Sequence, residues 1–248
     1  LEVIKIGSQI LILPLFLSLG FEIWSPIIAI FLGHLISSSI FYIVFYKKYL
    51  PNFFKIKVKK LDGNLIQKIR LFASANLLFL VGNYILSYTD TYMLTYFKDL
   101  TEVGLYNVAS PTARVILMLS TSLTLILMPL TSSLIKLKQV DVLRNLVRTL
   151  YKIALIFTLP LTIITVVYSK EILTILYSSQ YMVASVALQI LSVSAIFTVF
   201  FLINTNLLNG IGKPKINSNL IIYGTIMNVS LNFFLIPRYG INGAAFST

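Results

Sequence analysis

Residues 24–46 read WSPIIAIFLGHLISSSIFYIVFY, with no Asp, Glu, Lys or Arg anywhere in the run. Its centre, Ile27-Ile28-Ala29-Ile30-Phe31-Leu32, is apolar on every side and does not alternate. A strand of a membrane barrel would alternate with period two, so the stretch predicts a helix. About 20 mostly apolar residues carry a helix across the hydrocarbon core of a bilayer, and this run is long enough. Working outward, similar runs fall at roughly 4–20, 71–97, 104–131, 150–169, 182–208 and 214–236, and another begins near Gly240. The expected fold class is all-α, a polytopic bundle of transmembrane helices.

Composition points the same way. Of 248 residues, 57% are hydrophobic and only 11% charged, whereas soluble domains carry about 25% charged residues. That excludes a water-soluble enzyme or binding module. The absence of cysteine removes disulfides, thiolate metal sites and Cys nucleophiles. One histidine, His34, cannot build a multi-histidine metal site. The chain opens at Leu1 and stops at Thr248 inside an apolar run, which reads as a piece of a longer protein.

The connectors carry an orientation signal. Residues 47–70 hold eight Lys or Arg against Asp62 alone, residues 136–152 hold five against Asp141, and the turn before span seven holds Lys213 and Lys215. The intervening connectors hold only Lys98, Lys170 and Arg238, beside Glu22, Asp99, Glu102 and Glu171. Short basic loops stay in the cytoplasm. Loops 47–70, 136–152 and 210–215 are therefore expected inside a prokaryotic cytoplasmic membrane. The net charge of +12 is then a topology device with contacts to membrane lipids, and no nucleic acid partner is expected. Residues 134–150 place Leu137, Val140, Leu143, Val147 and Leu150 at helical spacing among Lys and Arg. They read either as an amphipathic surface helix or as a solvated connector, and Asn64 to Arg70 reads similarly.

Two charges fall inside apolar runs, Asp90 in span three and Arg114 in span four. Each costs about 2.5–3.5 kcal/mol at the centre of an inserting helix, so each is a functional candidate. Counting residues from the connecting turn puts both roughly 10–15 Å below the outer surface. Two readings follow: a structural ion pair across the hairpin, or an Arg114 that faces a water-filled cavity and holds an anionic head group. In the second, Asp90 tunes Arg114 or binds a coupling proton or sodium ion. At 100° per residue Asn76, Asn83, Ser87 and Asp90 share one arc of span three. Asn107, Ser110, Arg114 and Thr121 share one of span four, and Asn217, Gly224, Asn228 and Asn232 lie along one side of span seven. Such stripes glue helices or line a hydrophilic path. His34 is expected as a neutral ring bonded to a neighbouring helix, with a proton-relay role as the alternative. Pro111, one turn before Arg114, marks a candidate hinge.

Catalytic signatures are thin. Asp90 has no second intramembrane carboxylate for acid–base chemistry, and no Walker loop, HExxH or GxSxG occurs. Gly210-Ile211-Gly212-Lys213 precedes Pro214 and reads as a tight turn, not a phosphate loop. An enzyme is not expected, nor is any cofactor or metal.

Three stretches carry a family resemblance. They are Asp90-Thr91-Tyr92-Met93-Leu94 through Glu102-Val103-Gly104-Leu105-Tyr106-Asn107-Val108-Ala109; Tyr181-Met182-Val183-Ala184 with Leu208 to Lys215; and Asn228 to Asn232 with Leu235-Ile236-Pro237-Arg238-Tyr239-Gly240-Ile241-Asn242-Gly243-Ala244-Ala245. Together they resemble the polysaccharide (oligosaccharide) flippase family of the multidrug/oligosaccharidyl-lipid/polysaccharide exporter superfamily. The resemblance implies a two-lobe, inverted-V transporter. Residues 1–46 would be the last two helices of the first lobe, 47–70 a basic cytoplasmic inter-lobe loop, and 71–248 about five helices of the second lobe and the start of a sixth. It also implies flipping of a polyprenyl-pyrophosphate-linked oligosaccharide by alternating access. Arg114, Asp90, Asn76, Asn83, Ser87, Asn107 and Asn228 would line the substrate cavity. A drug or organic-cation antiporter of the same superfamily and a flippase for lipid-linked peptidoglycan precursors are the alternatives.

Overall fold

The computed structural model describes residues 2–49, 63–124 and 126–248, with side chains at all of these except 49 and 119–123. Every regular element among them is helical. In chain order they are α1 (Glu2–Ser18), α2 (Trp24–Tyr49), α3 (Gly63–Phe97), α4 (Leu100–Thr124), α5 (Leu127–Lys136), α6 (Val140–Val167), α7 (Ser169–Leu176), a 3-10 segment (Ser179–Ala184), α8 (Ser185–Gly210) and α9 (Pro214–Ser247). Five stretches are long and apolar enough to cross a membrane: Trp24–Lys48, Gly63–Phe97, Val140–Val167, Ser179–Gly210 and Pro214–Ser247. The other two expected spans are helical as well. α1 has only 17 residues, and α4 is diluted by Asn107, Ser110, Thr112 and Arg114.

The chain divides into two compact units, Leu1–Leu61 and Asp62–Thr248. In the first, α1 and α2 form a hairpin whose close approach is at Gly33, where a Cβ would meet the Gln9 side chain at 2.6 Å. His34 departs from expectation. Its Nδ1 lies 2.7 Å from Ile30 O, a carbonyl of its own helix, and the ring is exposed. Residues 50–62 of the expected inter-lobe loop lie outside the described residues.

In the second unit α3 and α9 run against each other. Ser218 Oγ donates to Ala75 O at 2.5 Å, and Thr225 Oγ1 donates to Gly82 O at 3.4 Å. Gly82 leaves room for Ile221, whose Cγ2 would stand 3.0 Å from a Cβ there. Without a hydrophobic drive between helices in lipid, small residues and hydroxyls of this kind hold spans together. A core of Ala109, Ala113, Ala184, Ala187, Ala244 and Ala245 packs the opposite end around Leu94, Leu188 and Ile236. Large exposed side chains such as Leu77, Leu80, Ile156, Ile163 and Met227 cover the outside, as a lipid-facing surface requires.

Three boundaries differ from the sequence reading. The span expected at 104–131 is described as two helices, α4 to Thr124 and α5 from Leu127, with Pro129 in the first turn of α5. There its missing N–H would be unpartnered anyway, whereas a continuous helix would lose a hydrogen bond to its ring. The amphipathic stretch is not a separate surface helix. Residues 137–139 form a turn with Lys138 at φ 57, and everything from Val140 continues straight into α6. Asn64 to Arg70 likewise form the opening turns of α3.

The turn before α9 is tight, as expected. Lys213 N donates to Leu208 O at 2.9 Å and Gly212 N to Asn209 O at 3.0 Å, with Gly212 at φ 82. This is a Schellman closure of α8, and the left-handed residue it needs is glycine. At the far end α9 breaks at Gly240 (φ 55, ψ −132) and resumes as helix to Ser247.

Candidate functional site

Asp90 lies in the middle of the second unit and is 3% exposed. Its carboxylate is held from α4, from α9 and from Thr248 just past the end of α9. Asn232 Nδ2 donates to Oδ1 at 2.6 Å and Asn228 Nδ2 at 3.3 Å, both from α9. Tyr106 OH, from α4, donates to Oδ2 at 2.8 Å, and Thr248 Oγ1 does so at 2.6 Å. A carboxylate offers about four lone-pair positions, and all four are engaged. Asn228 and Asn232 stand one turn apart on α9, so their amides reach Asp90 from one face, and Asn232 Nδ2 also donates to Asn228 Oδ1 at 3.1 Å. Beyond the Gly240 break the chain returns to the same cluster. Asn228 Nδ2 donates to Ser247 O at 3.0 Å, and the Ser247 hydroxyl donates to Asn232 Oδ1.

The break itself is built by α4. Glu102 Oε2 accepts the backbone N–H of Ile241 at 3.0 Å, as an N-terminal cap does for the orphan donors of a new helix. A Cβ on Gly240 would collide with the Glu102 carboxylate. Lys98 Nζ donates to Pro237 O at 3.1 Å, where the helix before the break loses its partners. The stretch from Pro237 to Gly243 is therefore a helix reset, with a carboxylate and an ammonium supplied by the neighbouring hairpin.

Next to Asp90 opens a cavity of about 690 Å³ between α3, α4, α8 and α9. Its polar lining includes Asn83, Ser87 and Asp90 from α3, Tyr106, Ser110 and Arg114 from α4, Ser194 and Thr198 from α8, and Thr248; Leu117, Phe197, Phe201, Leu220 and Ile221 are among the apolar residues. Arg114 is exposed to this space. Ion pairs among the described residues join Lys5 to Glu2 and Arg144 to Asp141, and none joins Arg114 to Asp90. The direct ion pair across the hairpin is thus not made. Four neutral donors compensate Asp90 instead, and Arg114 is left facing the cavity. α4 passes Pro111 as one continuous helix.

The other residues singled out in the sequence divide. Asn83 and Ser87 line the cavity with Asp90 and Arg114. Asn76 turns back, its Nδ2 donating to Phe72 O at 2.8 Å. Asn107 Oδ1 accepts the Thr91 hydroxyl at 3.5 Å and so joins α4 to α3. Asn228 holds Asp90 from behind the cavity wall. Asn217 is fully buried at the other end of α9, donating to Thr205 O and Asn209 Oδ1 at 2.9 Å each. The Thr121 side chain lies outside the described residues. Sequence reasoning missed Tyr106, Asn232 and Thr248 as partners of Asp90. Two signals were available: the four-residue spacing of Asn228 and Asn232, and a tyrosine hydroxyl in an apolar span, which needs a partner when buried. Among the described residues no three His, Asp or Glu come together as a metal cluster.

The fold and the cavity define a class, the polytopic helical membrane proteins with a polar cavity among their helices. Comparison with known proteins supplies the family. A model described as MatE matches residues 75–234, and one described as polysaccharide biosynthesis protein matches residues 3–135. The chain belongs to the superfamily these two families share, the multidrug/oligosaccharidyl-lipid/polysaccharide exporters. Over 203 residues, 82% of the chain, it is 34% identical to the membrane protein MJ1068 of Methanocaldococcus jannaschii and covers 40% of that protein. Over 168 residues it is 23% identical to the probable low-salt glycan biosynthesis flippase Agl15 of Haloferax volcanii, covering 68% of the chain and 36% of the flippase. The chain thus spans well under half the length of these relatives. Two crystal structures of MATE, one a P26A mutant and one in the straight conformation, superpose over 99% of the chain and 56% of their own. Their TM-scores are 0.72 and 0.70, at 17% and 16% identity. They share the fold.

Proposed function

We propose that this chain is part of a flippase that moves a polyprenyl-pyrophosphate-linked oligosaccharide across the cytoplasmic membrane of a prokaryote. Residues 1–46 belong to the first lobe of the transporter and 71–248 to the second. The observation that carries the reading is Arg114: a guanidinium with no carboxylate within ion-pair distance among the described residues, facing a membrane-embedded cavity. A planar guanidinium matches phosphate oxygens two at a time, and a cation without a carboxylate partner invites an anion. Asn83, Ser87 and Ser110 stand beside it as polar groups for the head group or the first sugar. The relative described as a glycan biosynthesis flippase supports the same substrate class. A cationic drug would need an open carboxylate, and Asp90 has its lone-pair positions taken by four donors.

Transport proceeds by alternating access, without covalent chemistry, and one lobe rocks against the other around a site near the midplane. Asp90 is the group for a coupling proton or sodium ion. Such an ion reaches the carboxylate only when one of its donors swings away, which ties ion binding to a shift among α3, α4 and α9.

The test uses the parent cell with the intact gene deleted. An external sugar-modifying probe reports which leaflet holds lipid-linked oligosaccharide. The reading expects accumulation in the inner leaflet, reversed by the wild-type gene. An unchanged distribution with new sensitivity to organic cations would replace the flippase with an antiporter.

A further inference from the structure

A second cavity, of about 680 Å³, opens between the first turns of α3 and the turn that leads into α9. Its floor and walls include Ile69, Leu71, Phe72, Pro214 and Ile216, and Lys68, Lys213 and Lys215 stand on it; no carboxylate is among its described lining residues. Phe72, Ile69 and Ile216 are 40%, 54% and 42% exposed. Apolar side chains are thus left open beside three ammonium groups.

Length fixes the depth of this cavity. The 35 residues of α3 span about 52 Å at 1.5 Å per residue, against about 30 Å of hydrocarbon and 40–45 Å with the head groups. Because Lys98 and Asp99 end the helix at one face, residues 68–73 fall at the head-group level of the other. Both walls are held. The Schellman closure around Gly212 fixes the backbone of Lys213, and the Ser218 to Ala75 hydrogen bond ties α9 to α3 one turn deeper.

We propose that this cavity seats a single anionic phospholipid of the adjoining leaflet, with its phosphate among Lys68, Lys213 and Lys215 and one chain against Ile69, Phe72 and Ile216. Three ammonium groups with no acid among the described lining residues favour a phosphate. The apolar floor at that depth favours one that carries a hydrocarbon chain, because a soluble anion would leave the floor wet. The seat needs only that this end of the bundle lies at a membrane face, so it stands independently of the substrate proposed above.

Native mass spectrometry of the intact transporter tests it, with phosphatidylglycerol, phosphatidylcholine of the same chains, or inorganic pyrophosphate added. The wild type is expected to retain one phosphatidylglycerol under activation that strips phosphatidylcholine. A Lys68→Gln/Lys213→Gln/Lys215→Gln variant should lower that occupancy at least tenfold. A Lys136→Gln/Lys138→Gln/Lys152→Gln variant removes the same charge elsewhere and should keep it. Ile69→Trp, which fills the floor without altering charge, should also displace the lipid. Equal loss in both triple variants would reduce the effect to diffuse attraction and overturn the seat. Displacement by millimolar pyrophosphate would make it a site for free phosphates. Full occupancy in Ile69→Trp, or in the first triple variant, would refute it.

Discussion

Asp90 and Arg114 face one cavity from adjacent helices, yet the carboxylate is bonded to Tyr106, Asn228, Asn232 and Thr248 and not to the guanidinium. The two charges have separate tasks. One holds helices together, and the other is presented to whatever enters. An exchange of the two residues therefore cannot conserve function. Asp90→Arg/Arg114→Asp should fail to restore transport in cells that insert the protein normally; recovery to near wild-type activity would show that the charges act as a pair.

Arg114→Ala should abolish transport, with at least a tenfold loss in the leaflet assay, and leave membrane insertion unchanged. Arg114→Lys keeps the charge but loses the planar fork, so it should keep only part of the activity. Full activity in Arg114→Ala would remove this residue from the site.

Asp90→Ala strands buried donors on α4 and α9. Hydrogen bonds to a charged group contribute about 1.5–3 kcal/mol each, and Asn232 can still turn to Asn228 and Ser247. The net loss should be about 3 kcal/mol, read as a lower unfolding temperature in detergent. Tyr106→Phe removes one donor and should cost about 1–2 kcal/mol. A Tyr106→Phe loss as large as that of Asp90→Ala would mean that the tyrosine ring, and not its hydroxyl, carries the effect.

Gly240→Ala places a side chain at positive φ and against the Glu102 carboxylate. Strain of this kind costs about 1–3 kcal/mol. Glu102→Gln weakens the cap on Ile241 and should cost about 1 kcal/mol. The two share one contact, so the double variant should lose less than the sum of the singles. Strict additivity, measured by thermal unfolding, would show that Gly240 and Glu102 act separately.

The absence of cysteine makes orientation simple to read. Single replacements Lys138→Cys and Lys213→Cys should resist a membrane-impermeant thiol reagent added to intact cells, and Asp99→Cys should react. The opposite pattern would invert the loops.

Much of the architecture was legible because it follows from length and apolarity. A run such as residues 24–46 has one stable form in lipid, and basic connectors mark the turns. The resets were less legible. The continuous span expected at 104–131 hides a second helix start, with Pro129 in the first turn of α5. The stretch 134–150 reads as a surface helix or a solvated connector because its polar face is real, but Leu143 and Leu150 are buried and from Val140 the residues belong to α6. At the site, depth along the helices put Asp90 and Arg114 at one level, and counting residues could do that. Rotation about each axis decided the rest, and a tolerance of tens of degrees on each helix separates a pair from two neighbours. Asn76 and Asn107 shared arcs with cavity residues, yet their amides turn to Phe72 and Thr91.

The Glu102 cap also constrains how the protein is made. The helix that resumes at Ile241 draws its first partner from a residue well over a hundred positions upstream, so its start is not encoded locally. During synthesis the α3–α4 hairpin reaches the bilayer long before Gly240 leaves the ribosome. The late segment then enters against an acceptor already in place. A chain in which that hairpin is delayed or inverted would deliver this helix start to the membrane with its Ile241 N–H unpartnered, a state that cellular quality control is built to remove.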